Sequence, residues 1–357
     1  MRPLNTARIG APTIGLLVFL VGCRSMVSVP ETGKEEVPRP RPVQQRIVVV
    51  VHGDASYLYH DRDGTAHQAD EETLREVFAA ARAMQRAELF VVHQRPTDPL
   101  FGLIPRDDGT LYHFRHGRLV RQTTYKQDRT DPLSVEAEWI RSHRASVDSS
   151  VLTAALYYGH AVPERPRAGY HRSRPDAPFG VGALARGLDR LRPTASPLDA
   201  LVLSTCDGGT PHTVSALAPH ARHLLAAPGD LHLSFIDADL LAGLASETDP
   251  APWTRRLAER AFDRLTTRTV TATTLATYDL DRAGPTARRM ARRVPPDTSG
   301  AAAGARHVDC QTVLGAAVDT TGVRTWHRPA RFGPRADRTS HSGWACVPPA
   351  SSDPEGL

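Results

Sequence analysis

The sequence predicts an α/β protein built on an open, mostly parallel β-sheet flanked by helices. Three observations lead there. Four apolar runs of strand length occur: Arg46–His52 (RIVVVVH), Ala87–His93 (AELFVVH), Leu152–His160 (LTAALYYGH) and Leu198–Cys206 (LDALVLSTC). They are apolar almost throughout rather than alternating, the pattern of strands buried on both faces of a parallel sheet. The segments between them have helical spacing and enough length for right-handed crossovers.

The elements follow in order. Arg2 and Arg8 flank the start of the chain, and a short apolar core, Ile14–Val21, ends in Leu20-Val21-Gly22-Cys23. The core is short for a membrane span. The four-residue ending resembles a bacterial lipobox, so residues 1–22 are expected to be a lipoprotein signal and Cys23 the lipidated residue. An ordinary secretory signal or an uncleaved anchor is the alternative. Arg24 rather than Asp follows the cysteine. In a Gram-negative host this favours the outer membrane, and the expected location is the cell envelope. Residues 23–45 are polar and Pro-rich, a tether rather than a folded element.

The Arg46 strand opens the folded part, expected over 46–290. Asp70 begins a helix, with Glu71 and Glu72 in its first turn and Leu74, Val77, Phe78 and Ala81 as its stripe. The Ala87 strand completes a βαβ unit. A hairpin is expected about Gly117, between LYHF and RLVRQTTY. Asp131-Pro132 opens a helix facing inward with Leu133, Ala137 and Ile140. After the Leu152 strand come a polar loop (163–178), a helix near 180–191 and the Leu198 strand. Thr210-Pro211 is an N-cap and first-turn pair. A strand over 221–227, helices over 237–245 and 253–265, and a strand over 269–278 complete the domain. Residues 291–357 are rich in Pro, Arg and Ser, and the pattern fades there.

The chain carries 44 basic and 39 acidic residues with no long basic block, which argues for no nucleic-acid partner. Of the four cysteines, Cys23 is assigned to lipid. Cys310 and Cys346 lie together in the C-terminal region and could pair. Cys206 remains as the odd free thiol. It ends a buried strand, and in open parallel sheets ligands bind just outside the carboxyl ends of the strands. His160 ends another such strand, 46 residues earlier, with one expected helix between. A cysteine nucleophile and a histidine for proton transfer are the parts of a thiol peptidase. The backbone N–H groups of Cys206 and Ala161 are placed to hold an oxyanion.

Several stretches resemble the clostripain-like (C11) family of the caspase–gingipain clan of cysteine peptidases. RIVVVVHGDASYLYHD is similar to its opening strand, and DPLSVEAEWI to the helix before the histidine strand. LYYGH and LDALVLSTC are similar to the histidine and cysteine strands. PHARHLLAAPGDLH and TVTATTLATYDLDR are similar to later segments, in the family's order over about 45–285. The resemblance implies a caspase-like fold and an endopeptidase using Cys206 and His160 on a peptide or protein substrate; the expected lipid on Cys23 would anchor it to the membrane. It implies no organic cofactor; calcium enters through the family alone, with no ligand motif here.

Two positions depart from the family pattern. Ala161 stands where a glycine usually follows the histidine. Ser204-Thr205 stands where Asp-Ala usually precedes the cysteine, an acidic position associated with a basic P1 residue. Asp176 and Asp207 are candidates to supply the missing acid, and Asp54 and Ser204 to line the substrate site. Two other readings stand beside the peptidase. One is an inactive caspase-like binding module of the envelope. The other is a metal-dependent hydrolase at His52, His93 and His160, although no ligand-spaced motif lies on one element.

Overall fold

The β-branched run at 48–51 puts bulky side chains on both faces of one strand, and all seven residues of β1 (Gln45–Val51) are buried. The computed structural model describes residues 42–348, apart from 62, 96–108, 129–130, 147–150, 169, 171–176, 193–194, 297–306, 316 and 334–335. The expected leader, Cys23 and Asp176 lie outside the described residues. After β1 come a 3-10 turn (Gly53–Ala55), β2 (Leu58–His60), β3 (Ala66–Gln68), α1 (Ala69–Ala83), β4 (Ala87–Gln94), β5 (Gly109–Arg115) and β6 (Arg118–Tyr125). Next are α2 (Ser134–His143), β7 (Leu152–Ala161), α3 (Val181–Leu191), β8 (Leu198–Cys206), α4 (Pro211–Leu217) and β9 (Ala221–Ala226). A 3-10 segment (Ala238–Leu244), α5 (Pro250–Arg268), β10 (Thr273–Asp279), α6 (Leu280–Ala291), β11 (Val308–Asp309), α7 (Cys310–Leu314), β12 (Val323–Arg328) and β13 (Ala345–Cys346) complete the chain.

The expected α/β sheet is present. Nine strands run in the order β12-β10-β9-β8-β7-β1-β4-β5-β6. The central five, β9 to β4, are mutually parallel. Antiparallel strands extend both edges. Alternate β1 residues feed two cores. Ile47, Val49 and Val51 pack with α1, α5 and the 3-10 segment, whereas Val48 and Val50 pack with α2, α3, α4 and α6. The hairpin between β5 and β6 turns at His116 (φ 52°) and Gly117 (φ 76°), two left-handed residues matched to strand twist. A Cβ at Gly117 would sit 2.7 Å from the Arg82 carbonyl oxygen.

Boundaries moved in three places. The helix expected from Asp131-Pro132 begins at Ser134, after a left-handed Leu133. The 237–245 helix is a 3-10 segment. Its leading Asp237 gives the carboxylate to Arg264 and Arg268 instead of capping the first turn. The strand expected from Thr269 starts at Thr273, because Thr269 is still the C-cap of α5.

Past residue 290 the chain continues to build the fold. β12 pairs antiparallel with β10 at the sheet edge. Cys310 and Cys346 form the expected disulfide, with Cα atoms 4.9 Å apart, and Trp344 beside it packs on Tyr278.

Candidate active site

The strand order reverses between β1 and β7: the chain adds β4 on one side of β1, then returns to lay β7, β8 and β9 on the other. Such a switch point leaves a crevice at the carboxyl ends of the strands. Here those ends are His52 to Asp54, Gly159 to Ala161, and Cys206.

Register decides what faces the crevice. Tyr158 pairs with Ser204 and Ala161 with Cys206, so β7 spends three residues where β8 spends two. A bulge of this kind re-aims a side chain. In the β7 burial pattern His160 is the exposed residue, immediately before the partner of Cys206. The two sequence-predicted catalytic residues therefore sit at neighbouring strand tips.

Asp54 holds that bulge in place. Its Oδ2 accepts the His160 backbone N–H at 3.0 Å, its Oδ1 lies 2.6 Å from His52 Nδ1, and the Tyr170 hydroxyl also bonds to it. The His52 ring is buried among Phe179, Tyr157 and Tyr170, at 4.9, 5.4 and 5.5 Å between ring centres. The glycine of LYYGH follows from this packing, since a Cβ at Gly159 would lie 2.7 Å from Asp54 Oδ1. Asp54 thus organises the strand end, with its oxygens turned inward to protein donors.

Cys206 is half-buried, and its sulfur bonds locally. The Leu231 N–H donates to Sγ at 3.3 Å, and the thiol faces the Leu231 carbonyl oxygen at 3.8 Å. Burial pushes the thiol up to about 12, against a lowering by the Leu231 N–H; the charges of Asp207, Asp230 and Asp54 add to the rise. No hydrogen bond joins His160 to Cys206 among the described residues. The Ala161 N–H, an expected oxyanion donor, is directed to the Tyr170 hydroxyl at 3.2 Å.

The remaining sequence candidates are spread over different roles. Ser204 is fully buried, and its hydroxyl accepts the Ile236 N–H at 2.8 Å. Asp207 takes a left-handed conformation (φ 56°) and lies 3.0 Å from His307 Nδ1. His93 lies 3.3 Å from Asp70 Oδ2. Among the described residues no three His, Cys, Asp or Glu side chains converge on a metal-sized centre.

Tyr57, beside Asp54 in HGDASYLYH, is a substrate-lining candidate by sequence, whereas Tyr170 and Asp230 were missed. The Tyr57 ring meets His160 edge-on at 6.0 Å, and its hydroxyl donates to the Leu233 carbonyl. Burial, then the nearby Cys206 and Asp54, hold its phenol far above the ordinary range. Asp230 stands before Leu231 and lines a cavity of about 70 Å³ with His307, Asp309, His327 and His341. Its position after a proline-glycine turn was the available signal; Tyr170 sits in a polar loop that carried none.

No family model and no curated protein matches the chain. Among solved structures it is similar to an inactive zymogen C11 protease from Parabacteroides distasonis. That likeness has 12% identity and a TM-score of 0.48, over 71% of this chain and 65% of that one. It is similar also to the secreted C11 cysteine protease iotapain from Bacteroides thetaiotaomicron, at 12% identity and TM-score 0.49 over 73% of each chain. A secreted C11 cysteine protease from the same organism, in complex with an irreversible peptide inhibitor, gives 12% identity and TM-score 0.47 over 67% of each. The chain thus spans just under two thirds of the zymogen's length. All three belong to the family that the sequence resembles.

Proposed function

We propose that the protein is a cysteine endopeptidase with Cys206 as nucleophile and His160 as its proton-transfer partner. The observation that carries this reading is the β7–β8 register, which brings the two residues to adjacent strand tips at the switch point. His160 would take the thiol proton, and the thiolate would attack the peptide carbonyl carbon. The oxyanion would accept from the Cys206 and Ala161 N–H groups. The imidazolium would then protonate the leaving amine as the C–N bond breaks. A water deprotonated by His160 would hydrolyse the thioester, releasing the acid and restoring the thiol. This chemistry requires no organic cofactor.

Two contacts must open first: Sγ from Leu231, and the Ala161 N–H from Tyr170. The same contacts favour a second reading, an inactive binding module on the same scaffold. Digestion of a mixed peptide library by the full chain and by Cys206→Ala separates them. Cuts made only by the wild type carry the peptidase. Identical cuts by both would overturn Cys206 as nucleophile, and no cuts from the folded, reduced protein with and without calcium leave the binding module. If the peptidase stands, Asp207 and Asp230, whose charges act on the Cys206 thiol, are the candidate acids for a basic P1 residue, Ser204 being turned inward.

Tyr170→Phe removes the hydroxyl that occupies the Ala161 N–H. Its expected effect is a rise of about tenfold in kcat/KM, a part of what one oxyanion donor contributes. A fall in kcat/KM with unchanged melting temperature would mean that the hydroxyl itself serves the reaction.

We further propose that the protein is anchored in the cell envelope through lipid on Cys23. No helix among the described residues is long and apolar enough to cross a membrane. The support is the leader pattern and the Pro-rich tether of the sequence. Metabolic labelling with a fatty acid should mark the wild type and not Cys23→Ser. Equal labelling of both would remove the proposal.

A further inference from the structure

Between β9 and the 3-10 segment the chain is irregular, yet both ends of this stretch are tied to β8 on either side of Cys206. The Asp207 N–H donates to the Gly229 carbonyl at 3.0 Å, and the Ile236 N–H donates to the Ser204 hydroxyl at 2.8 Å. Residues 229–236 therefore run from the residue after the thiol to the residue two before it. The stretch between those ties touches the sulfur, through the Leu231 N–H at 3.3 Å.

The arc is held unevenly. At its start, a Cβ on Gly229 would meet nothing within 4 Å, so the entry is not packed in. At its end, Phe235 takes a left-handed conformation (φ 62°), which a bulky side chain rarely adopts. Such a residue persists only where its surroundings over-determine it. Here its N–H closes a turn on the His232 carbonyl at 2.9 Å, and its ring meets Tyr57 and Tyr158 edge-on at 5.6 and 5.9 Å. Between the two ends, Leu233 is 41% exposed and its carbonyl accepts the Tyr57 hydroxyl at 2.9 Å. Arg268 reaches the Ser234 hydroxyl at 3.2 Å, from a nitrogen that Asp237 holds at 2.6 Å.

Tyr57 touches both halves of the candidate site. One side of its ring meets Phe235 of the arc, and the His160 ring meets it edge-on at 6.0 Å. A loose start, a strained end and a hydroxyl between them are the parts of a segment that opens locally.

We propose that residues 229–236 are a strap that opens and closes over the Cys206 thiol, and that Tyr57 is the positioning residue that latches it beside His160. In the closed state the Leu231 N–H occupies Sγ. When the Tyr57 hydroxyl releases Leu233, Leu231 leaves the sulfur and the thiol comes open to His160 and to a substrate. The strap is a property of the fold; only its effect on turnover rests on the peptidase reading.

Tyr57→Phe keeps the ring and removes the latch. In the folded full chain it should speed iodoacetamide alkylation of Cys206 about fivefold, the effect of one neutral hydrogen bond on an opening equilibrium. In wild type and variant alike, the rate should be nearly independent of urea below the unfolding transition, as a local opening requires. Equal rates in wild type and a folded Tyr57→Phe overturn the latch. Rates that climb with urea in step with global unfolding overturn the strap. If the variant does not fold, wild-type amide exchange decides: the Leu231 N–H should exchange well ahead of the β8 amides, and exchange of both together overturns the proposal. Peptide cleavage is read separately. Faster alkylation without cuts keeps the strap and removes the peptidase, whereas a matching rise in kcat/KM carries both.

Discussion

Iodoacetamide is expected to alkylate Cys206 about a thousandfold more slowly in the folded protein than in the urea-unfolded chain at pH 8, because only the thiolate reacts. The thiol stands at about 12 in the fold against an ordinary 9.0, chiefly through burial, with Asp207, Asp230 and Asp54 adding negative charge around it. Loss of the proton is disfavoured, so the reactive fraction grows as pH rises. The logarithm of the rate should climb with unit slope through the alkaline range. Cys310 and Cys346 are joined in a disulfide, so the label is read on the Cys206 peptide by mass spectrometry. A fast reaction that levels off near neutral pH would mean that His160 already shares the thiol proton. The closed description of the site would then fall, while the proposed dyad would gain support. Slow alkylation that accelerates on adding a peptide substrate would be the behaviour of a peptidase whose site opens on binding.

Replacing Asp54 with alanine is expected to cost about 2 kcal/mol of stability or more, since a buried donor left without its acceptor costs roughly 1–3 kcal/mol and the His160 N–H, at the exposed end, can turn to water. Three donors converge on this carboxylate: the His52 ring, the His160 backbone N–H and the Tyr170 hydroxyl. Urea unfolding measures the loss. Asp54→Asn keeps one acceptor oxygen and should lose less, with the bulge at His160 partly preserved. The sequence reading placed Asp54 among substrate-binding residues, and the two roles separate cleanly. A substrate ligand would raise KM in Asp54→Ala and leave stability within about 0.5 kcal/mol, as a surface change does. A residue that positions His160 lowers stability and kcat together.

Much of the fold was legible in the residues. Unbroken apolar runs such as RIVVVVH demand cover on both faces, and the helical stripes between them supply it, so a layered α/β sheet was readable from pattern alone. Gly117 marked its hairpin because two left-handed residues are needed there. The edge strand β12 was not legible. VRTWHR is only partly buried and alternates weakly, and its partner β10 lies 45 residues back at the closest pairing of Tyr278 with Val323. Local pattern carries no information about such a pairing. The segment expected as a helix over 237–245 is 3-10 for a related reason: the Asp237 side chain at its start is taken by two arginines of α5 instead of its own first turn.

The sequence by itself determined which residues end the strands, and hence that Cys206 and His160 both stand at carboxyl tips. It also identified the free thiol, because the other two cysteines of the folded part were candidates to pair. The tertiary structure alone decided how those tips are presented. The one-residue bulge that turns His160 outward depends on Asp54, more than a hundred residues earlier in the chain. The resting state of the thiol depends on Leu231, and the occupied Ala161 N–H on Tyr170. Strand termini follow from local hydrophobic pattern, whereas hydrogen bonds between distant loops exist only once packing has brought them together.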